Sequence, residues 1–232
     1  MRLVLWDIDR TLLYVGETDR RVYREVFRDV VGRQATALPA RGTGVTMPLA
    51  VRELLEANGV PDAQVTDLAR RIVEQLPERL AHHEDELRTS GRLMPGAVEA
   101  LAAVRSDPHL LPTVVTGNLR GSAETKLKVF GLDGYVEVGL GGYASDDAHR
   151  PALVDIAQRR ATAAYGHAFN RHNTVIIGDS LQDVSTGREG GARVIGVASG
   201  TTSLDELARA GADHVIHDLR DTHALLALVH GA

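Results

Sequence analysis

The amino-acid sequence predicts an α/β fold: a mostly parallel sheet covered by helices on both faces, with a small helical domain inserted after the first strand. Three observations carry that prediction. Six short apolar runs have the length and composition of buried strands. From Pro95 onward these runs alternate with helical periodicities, the exchange that builds βα units. Between Val15 and Ser90 the chain shows helical segments and no convincing strand.

The first strand covers residues 3–6, Leu-Val-Leu-Trp, and runs straight into Asp7, Asp9 and Thr11. Helical segments follow at 19–30, 48–58 and 61–87, and the borders of the insertion carry Gly16 and Ser90-Gly91, residues suited to hinges. The boundaries expected are a core of residues 1–14 and 91–232 and a helical cap of residues 15–90. In residues 95–104, Ala97, Val98, Leu101 and Val104 share one helical face. Apolar runs at 110–115, 135–140, 174–177, 194–198 and 214–216 supply the remaining strands. Between them the sequence predicts helices starting near Ser122, spanning 151–165 with Leu153, Ile156 and Ala157 on one face, and starting near Val184. No internal repeat or low-complexity tract interrupts this order.

Composition narrows the function. A chain of 232 residues, 44% hydrophobic, can bury one good core with a lobe to spare. No run approaches the ~20 apolar residues that span a bilayer, and the N-terminus lacks the pattern of a secretory signal, so a cytoplasmic protein with no membrane partner is expected. There is no cysteine, which excludes disulfides, thiolate nucleophiles and Cys-ligated zinc, so any metal must sit on oxygen or imidazole. A net charge of −5 with scattered basic residues, and aromatics at only 4%, argue against a nucleic-acid partner, which needs a basic face and stacking platforms.

Chemistry concentrates at three strand ends. Two carboxylates one residue apart beside an apolar strand cost several kcal/mol to bury unless a cation or a helix N-terminus compensates them; read alone, Asp-x-Asp-x-Thr is also an ordinary solvated turn. After the strand at 110–115 comes Thr116-Gly117-Asn118, a hydroxyl, a flexible amide and a carboxamide ahead of a helix, a combination that binds an oxyanion or merely caps the helix. After the strand at 174–177 comes Gly178-Asp179-Ser180-Leu181-Gln182-Asp183, an acidic, oxygen-rich loop suited to magnesium; as a simpler role, Asp183 could cap the following helix. Ligands of open α/β sheets bind outside the carboxyl ends of the strands, where all three lie.

Together these motifs resemble the haloacid dehalogenase superfamily, in its capped, phosphoglycolate phosphatase-like phosphatase branch: Asp7, Asp9 and Thr11 match its first motif, Thr116 its second, and Gly178, Asp179 and Asp183 its fourth. The resemblance continues through Gly187-Arg188 to residues 194–200 and so covers the core, with the helical segment weakly matched. It implies a Rossmann-like sheet, a helical cap over the active site, and a Mg2+-dependent phosphatase acting on a small phosphomonoester. Asp7 would be the nucleophile that forms an aspartyl phosphate and Asp9 the general acid and base. Asp7, Asp9 through its backbone carbonyl, Asp179 and Asp183 would hold the metal. Thr116, Gly117, Asn118 and a basic residue would grip the phosphate. For that basic residue two candidates stand, Arg150 before the helix at 151–165 and Lys126 on the helix after Thr116. A further departure is Arg10, where most relatives carry glycine.

The second Asp separates the branches, since dehalogenases and phosphonate hydrolases of the superfamily lack it. A sugar phosphomutase shares all four motifs and stays open. A phospho-accepting receiver module is the alternative of a different class, but it places its acids in another order and has no helical insertion. Residues 139–144 echo a dinucleotide loop without the following helix and acid, and read as a loop at the sheet end. His82 and His83, among Glu84, Asp85 and Glu86, read as a solvated helical face. Residues 41–46, Arg-Gly-Thr-Gly-Val-Thr, lie between cap helices and are expected to reach toward the substrate. Substrate identity and oligomeric state are not encoded in the motifs.

Overall fold

A computed structural model describes residues 1–38 and 44–231. Strand β1 (Arg2–Trp6) lies near the middle of a six-stranded parallel sheet, and the chain leaves it for a two-residue strand, β2 (Leu13–Tyr14), paired antiparallel with β3 (Arg92–Leu93). Between β2 and β3 run α1 (Gly16–Val31), α2 (Met47–Ala57), α3 (Asp62–Ala81) and α4 (Glu84–Ser90). The helical segment thus enters and leaves through one small ribbon. After it come α5 (Ala97–Ser106), β4 (Leu110–Thr116), α6 (Arg120–Val129), β5 (Gly142–Tyr143), α7 (Ala152–Tyr165), β6 (Thr174–Gly178), α8 (Leu181–Gly190), β7 (Arg193–Val197), α9 (Leu204–Ala210), β8 (His214–Ile216) and α10 (Thr222–His230).

The sheet order is β5-β4-β1-β6-β7-β8, so the chain winds from β1 to one side and then to the other. That reversal opens a crevice beyond the carboxyl end of β1, between β4 and β6. The registers Trp6↔Val114 and Trp6↔Ile177 bring the ends of these three strands level. Side chains of β1 alternate between two cores, as the pleat requires. Val4 and Trp6 pack with Leu101, Leu127 and Leu225 of α5, α6 and α10, whereas Leu3 and Leu5 pack with Leu153, Val184 and Leu207 of α7, α8 and α9. These four side chains are fully buried, each worth about 1.5–3 kcal/mol relative to exposure.

The inserted helices are amphipathic at helical spacing. Val22, Val26, Phe27 and Val30 of α1, Val51, Leu54 and Leu55 of α2, and Val65, Ile72, Leu76 and Leu80 of α3 bury one another in the same cluster that reaches Trp6.

Sequence expectations are corrected in two stretches of the chain. The single helix over 61–87 is broken at His82 and His83; Glu84, Asp85 and Glu86 form the acidic first turn of a new helix, where negative charge suits the exposed N–H groups. His83 is consequently not on a solvated face: its two ring nitrogens lie 3.0 Å from Glu25 and 3.2 Å from Glu86. The run at 135–140 is not a strand. It forms two short 3-10 turns that pack along β4, apolar because Val136 is buried, while the edge strand is Gly142–Tyr143, inside the segment read as a loop.

Candidate active site

Asp7 follows β1 directly and extends the ladder, its N–H donating to the Ile177 carbonyl at 2.9 Å. The chain then turns back on itself, with the Leu12 N–H donating to the Ile8 carbonyl. Arg10 takes the left-handed conformation, with φ 67°. An L-residue pays about 1–2 kcal/mol there, a cost that glycine escapes. Here the Ser199 hydroxyl holds the Arg10 carbonyl at 2.7 Å, and the guanidinium lies over the Tyr14 ring at 4.7 Å.

Asp7, Asp179 and Asp183 converge, each offering an oxygen within 4.8 Å of the others, and all three are buried. The Thr11 hydroxyl sits 3.3 Å from Asp7 Oδ2 and 3.2 Å from Asp179 Oδ1. Arg150 Nη2 donates to Asp7 Oδ1 at 2.7 Å and to Asp183 Oδ1 at 2.5 Å, and Nη1 donates to the Gly44 carbonyl. Among the described residues, one guanidinium bonds to this cluster of three carboxylates, fewer positive charges than negative. Burial and then the Asp183 charge hold the Asp7 carboxyl well above its ordinary range, in spite of Arg150. Burial and Asp183 also raise Asp179, to about 7, although Thr11, Arg10 and Arg150 pull it back. Buried, oxygen-only and short of positive charge, the cluster fits a hard divalent cation such as magnesium. The helix expected to start near Val184 starts at Leu181, so Ser180 and not Asp183 is its N-cap; Asp183, in the first turn, completes the capping box, its Oδ2 accepting from the Ser180 N–H and hydroxyl while its own N–H donates to Ser180 Oγ.

Thr116 closes β4, and Gly117 and Asn118 lead into α6, whose N-terminal amides favour an anion. A Cβ on Gly117 would stand 2.6 Å from the Val45 carbonyl, so this loop accepts the inserted segment only because it lacks a side chain there. The same segment is fastened by Met47 N–H to the Gly117 carbonyl and by the Thr46 hydroxyl to the Ala148 carbonyl, both 2.8 Å.

The two basic candidates part company. Arg150 meets Asp7, whereas Lys126, fully buried, meets Asp9 at 2.9 and 3.1 Å, Asp19 at 2.8 Å and Asn118 Oδ1 at 2.9 Å. The Asn118 carboxamide is likewise engaged, donating to Asp9 Oδ2 at 2.7 Å and Thr116 Oγ1 at 2.8 Å.

Asp7, Asp9, Thr116, Gly117, Asn118, Arg150 and Asp179 line one cavity between the strand ends and the inserted helices, roofed by Tyr23, Leu38, Val45, Met47 and Ala50. Gly44 and Val45 reach it as the sequence suggested; Arg41 lies outside the described residues. Sequence reasoning missed Asp19, an unremarkable acid in a helix's first turn, and the roof residues, whose apolar spacing reads as core.

Comparison with known proteins agrees with this geometry. The pattern of the haloacid dehalogenase-like hydrolase family matches residues 4–188. The chain is 26% identical over 234 aligned residues to the probable phosphatase IndB of Dickeya dadantii (strain 3937), covering 97% of this chain and 95% of that protein. Among solved structures it resembles a hydrolase from Pseudomonas syringae, with a TM-score of 0.70 and 22% identity over 99% of this chain and 98% of that one. It also resembles CbbY from Rhodobacter sphaeroides in complex with phosphate, with a TM-score of 0.66 and 18% identity over 95% and 96% of the two chains.

Proposed function

Since the chain belongs to the haloacid dehalogenase-like hydrolase family, and is an enzyme of its phosphatase kind, we propose that it is a magnesium-dependent phosphatase that hydrolyses a small phosphomonoester through an aspartyl phosphate on Asp7. One observation carries the reading: the Asp7 carboxylate stands in a buried cluster with Asp179 and Asp183, at the mouth of a cavity shared with Asp9 and the Thr116-Gly117-Asn118 turn.

In this reading Asp7 attacks phosphorus while the ester P–O bond breaks, and Asp9 gives its proton to the departing oxygen. Asp9 then takes a proton from the water that cleaves the aspartyl phosphate, which releases inorganic phosphate and restores both carboxyl groups. Thr116 and the backbone amides of Gly117 and Asn118 bind the phosphoryl oxygens, with preorganised dipoles aimed where charge spreads in the transition state. Arg150 favours the ionised form of Asp7 and orients it: Nη2 meets both Asp7 and Asp183 while Nη1 holds the Gly44 carbonyl, a span that suits a planar fork. Asp7, Asp179, Asp183 and the Asp9 carbonyl are the metal's ligands or its water-positioning groups. When bound, magnesium supplies the positive charge that screens an anionic nucleophile from an anionic ester.

We assign residues 15–90 to the cap and residues 1–14 with 91–232 to the core. The ribbon of β2 and β3 is the hinge between them, and segment 44–47, seated on Gly117 and Ala148, is the cap's contact with the phosphate site. Among the described residues, no helix is long and apolar enough to cross a membrane.

The test is a phosphate-release screen over small phosphomonoesters, with magnesium and with a chelator. Release that requires the metal is expected; its absence across the panel would defeat the reading. Incubation of a hexose 1-phosphate with a trace of bisphosphate, giving free phosphate rather than isomer, separates this activity from a mutase.

A further inference from the structure

We propose that Lys126 is a positioning residue for Asp9, not a phosphate ligand, and that Asp19 on the first inserted helix fixes Lys126 in that role. The inference rests on the reading of Asp9 as general acid and base. Asp9 projects from the turn after β1 with 38% of its side chain exposed, and among the described residues its carboxylate bonds run to Lys126 and Asn118 rather than to its own turn. Its rotamer is set from α6 and the turn before it. Lys126 reaches both oxygens, and Asn118 Nδ2 adds a bond to Oδ2 at 2.7 Å.

Lys126 has three N–H donors, and they point to Asp9, Asp19 and Asn118 at 2.8–2.9 Å. With no exposed surface and no donor left over, its ammonium has nothing to offer an incoming phosphate. Among the described residues it is also the one positive charge paired with both carboxylates, Asp9 from the core and Asp19 from α1. Two carboxylates and a carboxamide oxygen surround the ammonium at hydrogen-bond distance. The proton donor of the core is therefore tied by one cation to the helix that roofs the substrate.

General acid catalysis matters most for a poor leaving group, and kcat/KM reports only the steps up to leaving-group departure. Loss of positioning therefore has a signature that loss of phosphate binding lacks. The experiment measures kcat/KM for an alkyl phosphate and for 4-nitrophenyl phosphate, together with inhibition by inorganic phosphate. The proteins are the wild type, Asp9→Asn, Lys126→Met, Asp19→Asn and the Lys126→Met/Asp19→Asn double variant. For Lys126→Met the alkyl ester is expected to lose about 10²-fold, the scale of a misplaced catalytic group, while the nitrophenyl ester loses far less and phosphate inhibition holds. Asp9→Asn shows the same preference more strongly. Asp19→Asn shows it more weakly and reads the effect even should Lys126→Met fail to fold. The double variant is less impaired than Lys126→Met, because removal of the second carboxylate relieves repulsion that the missing ammonium had balanced.

Equal losses on both esters with weakened phosphate inhibition would make Lys126 a phosphate ligand and overturn the proposal. So would wild-type kinetics in both Lys126→Met and Asp19→Asn. Equal losses in Asp9→Asn would instead remove Asp9 as the acid, the reading on which this one stands.

Discussion

Replacing Arg150 by methionine keeps most of the side chain's length and apolar stem but removes the one cation that, among the described residues, bonds to the acidic cluster. Arg150 is buried, with 6% of its side chain exposed, and two of its bonds run to carboxylates. Hydrogen bonds to charged groups contribute about 1.5–3 kcal/mol each, so two contribute about 3–6 kcal/mol. The general cost of removing one member of a buried ion pair, about 3–5 kcal/mol, agrees. At about 2–4 °C per kcal/mol for a chain of this size, Arg150→Met should lower the melting temperature in chelator by about 6–20 °C. Magnesium should recover part of the loss, because a cation held by Asp7, Asp179 and Asp183 restores charge to the same cluster; a ligand at 100 times its Kd adds about 2.7 kcal/mol. Arg150→Lys should fall between, since one ammonium cannot span both carboxylates and the Gly44 carbonyl as a fork does. The assay is thermal unfolding of the three proteins in chelator and in magnesium. A melting temperature for Arg150→Met within about 2 °C of wild type in chelator would refute the charge argument.

Three further outcomes follow from the same geometry. Asp7→Asn should abolish turnover and leave the fold intact, checked by phosphate release and a cooperative melt; near-normal release would remove Asp7 as nucleophile. A Cβ on Gly200 would stand 1.7 Å from Asp179 Oδ2, so Gly200→Ala should displace that carboxylate and raise the magnesium needed for half-maximal activity by about 10-fold or more, the range for disturbed metal ligation; an unchanged magnesium titration would count against Asp179 as a ligand. The third concerns pH. Asp179 is raised from 3.8 to about 7 and Asp7 is raised too, so the folded state binds more protons than the unfolded chain in that window. These two groups therefore make the metal-free protein less stable as pH rises through it. Melting in chelator should show that decline, and magnesium should flatten it; a decline unaffected by magnesium would place its origin elsewhere.

The central strands were legible because burial on both faces leaves continuous apolar runs, as in Leu3 to Trp6, and because their ends carry side chains that no turn needs in such number. The edge strand was not, since Gly142 and Tyr143 pair through two residues with no periodicity to read. The break between α3 and α4 was hidden for a similar reason: Glu84, Asp85 and Glu86 suit a helix interior as well as a helix start. The ligand-type residues of the site appeared as motifs, but which basic side chain serves which acid did not. Arg150 and Lys126 look alike on paper, and only the approach of Asp7 to one and of Asp9 and Asp19 to the other separates them. The partners of Lys126 at Asp9 and Asp19 lie 117 and 107 residues away, beyond any local pattern. Tyr23, Met47 and Ala50 escaped because an apolar cavity wall and an apolar core obey the same spacing.

The central claim is that Asp7 carries the phosphoryl group, and the most direct measurement is mass analysis of enzyme acid-quenched during turnover of a phosphomonoester with magnesium. The peptide holding Asp7 should gain one phosphoryl group, and the gain should vanish in Asp7→Asn. Steady phosphate release with that peptide unmodified, or with the group on another residue, would contradict the account.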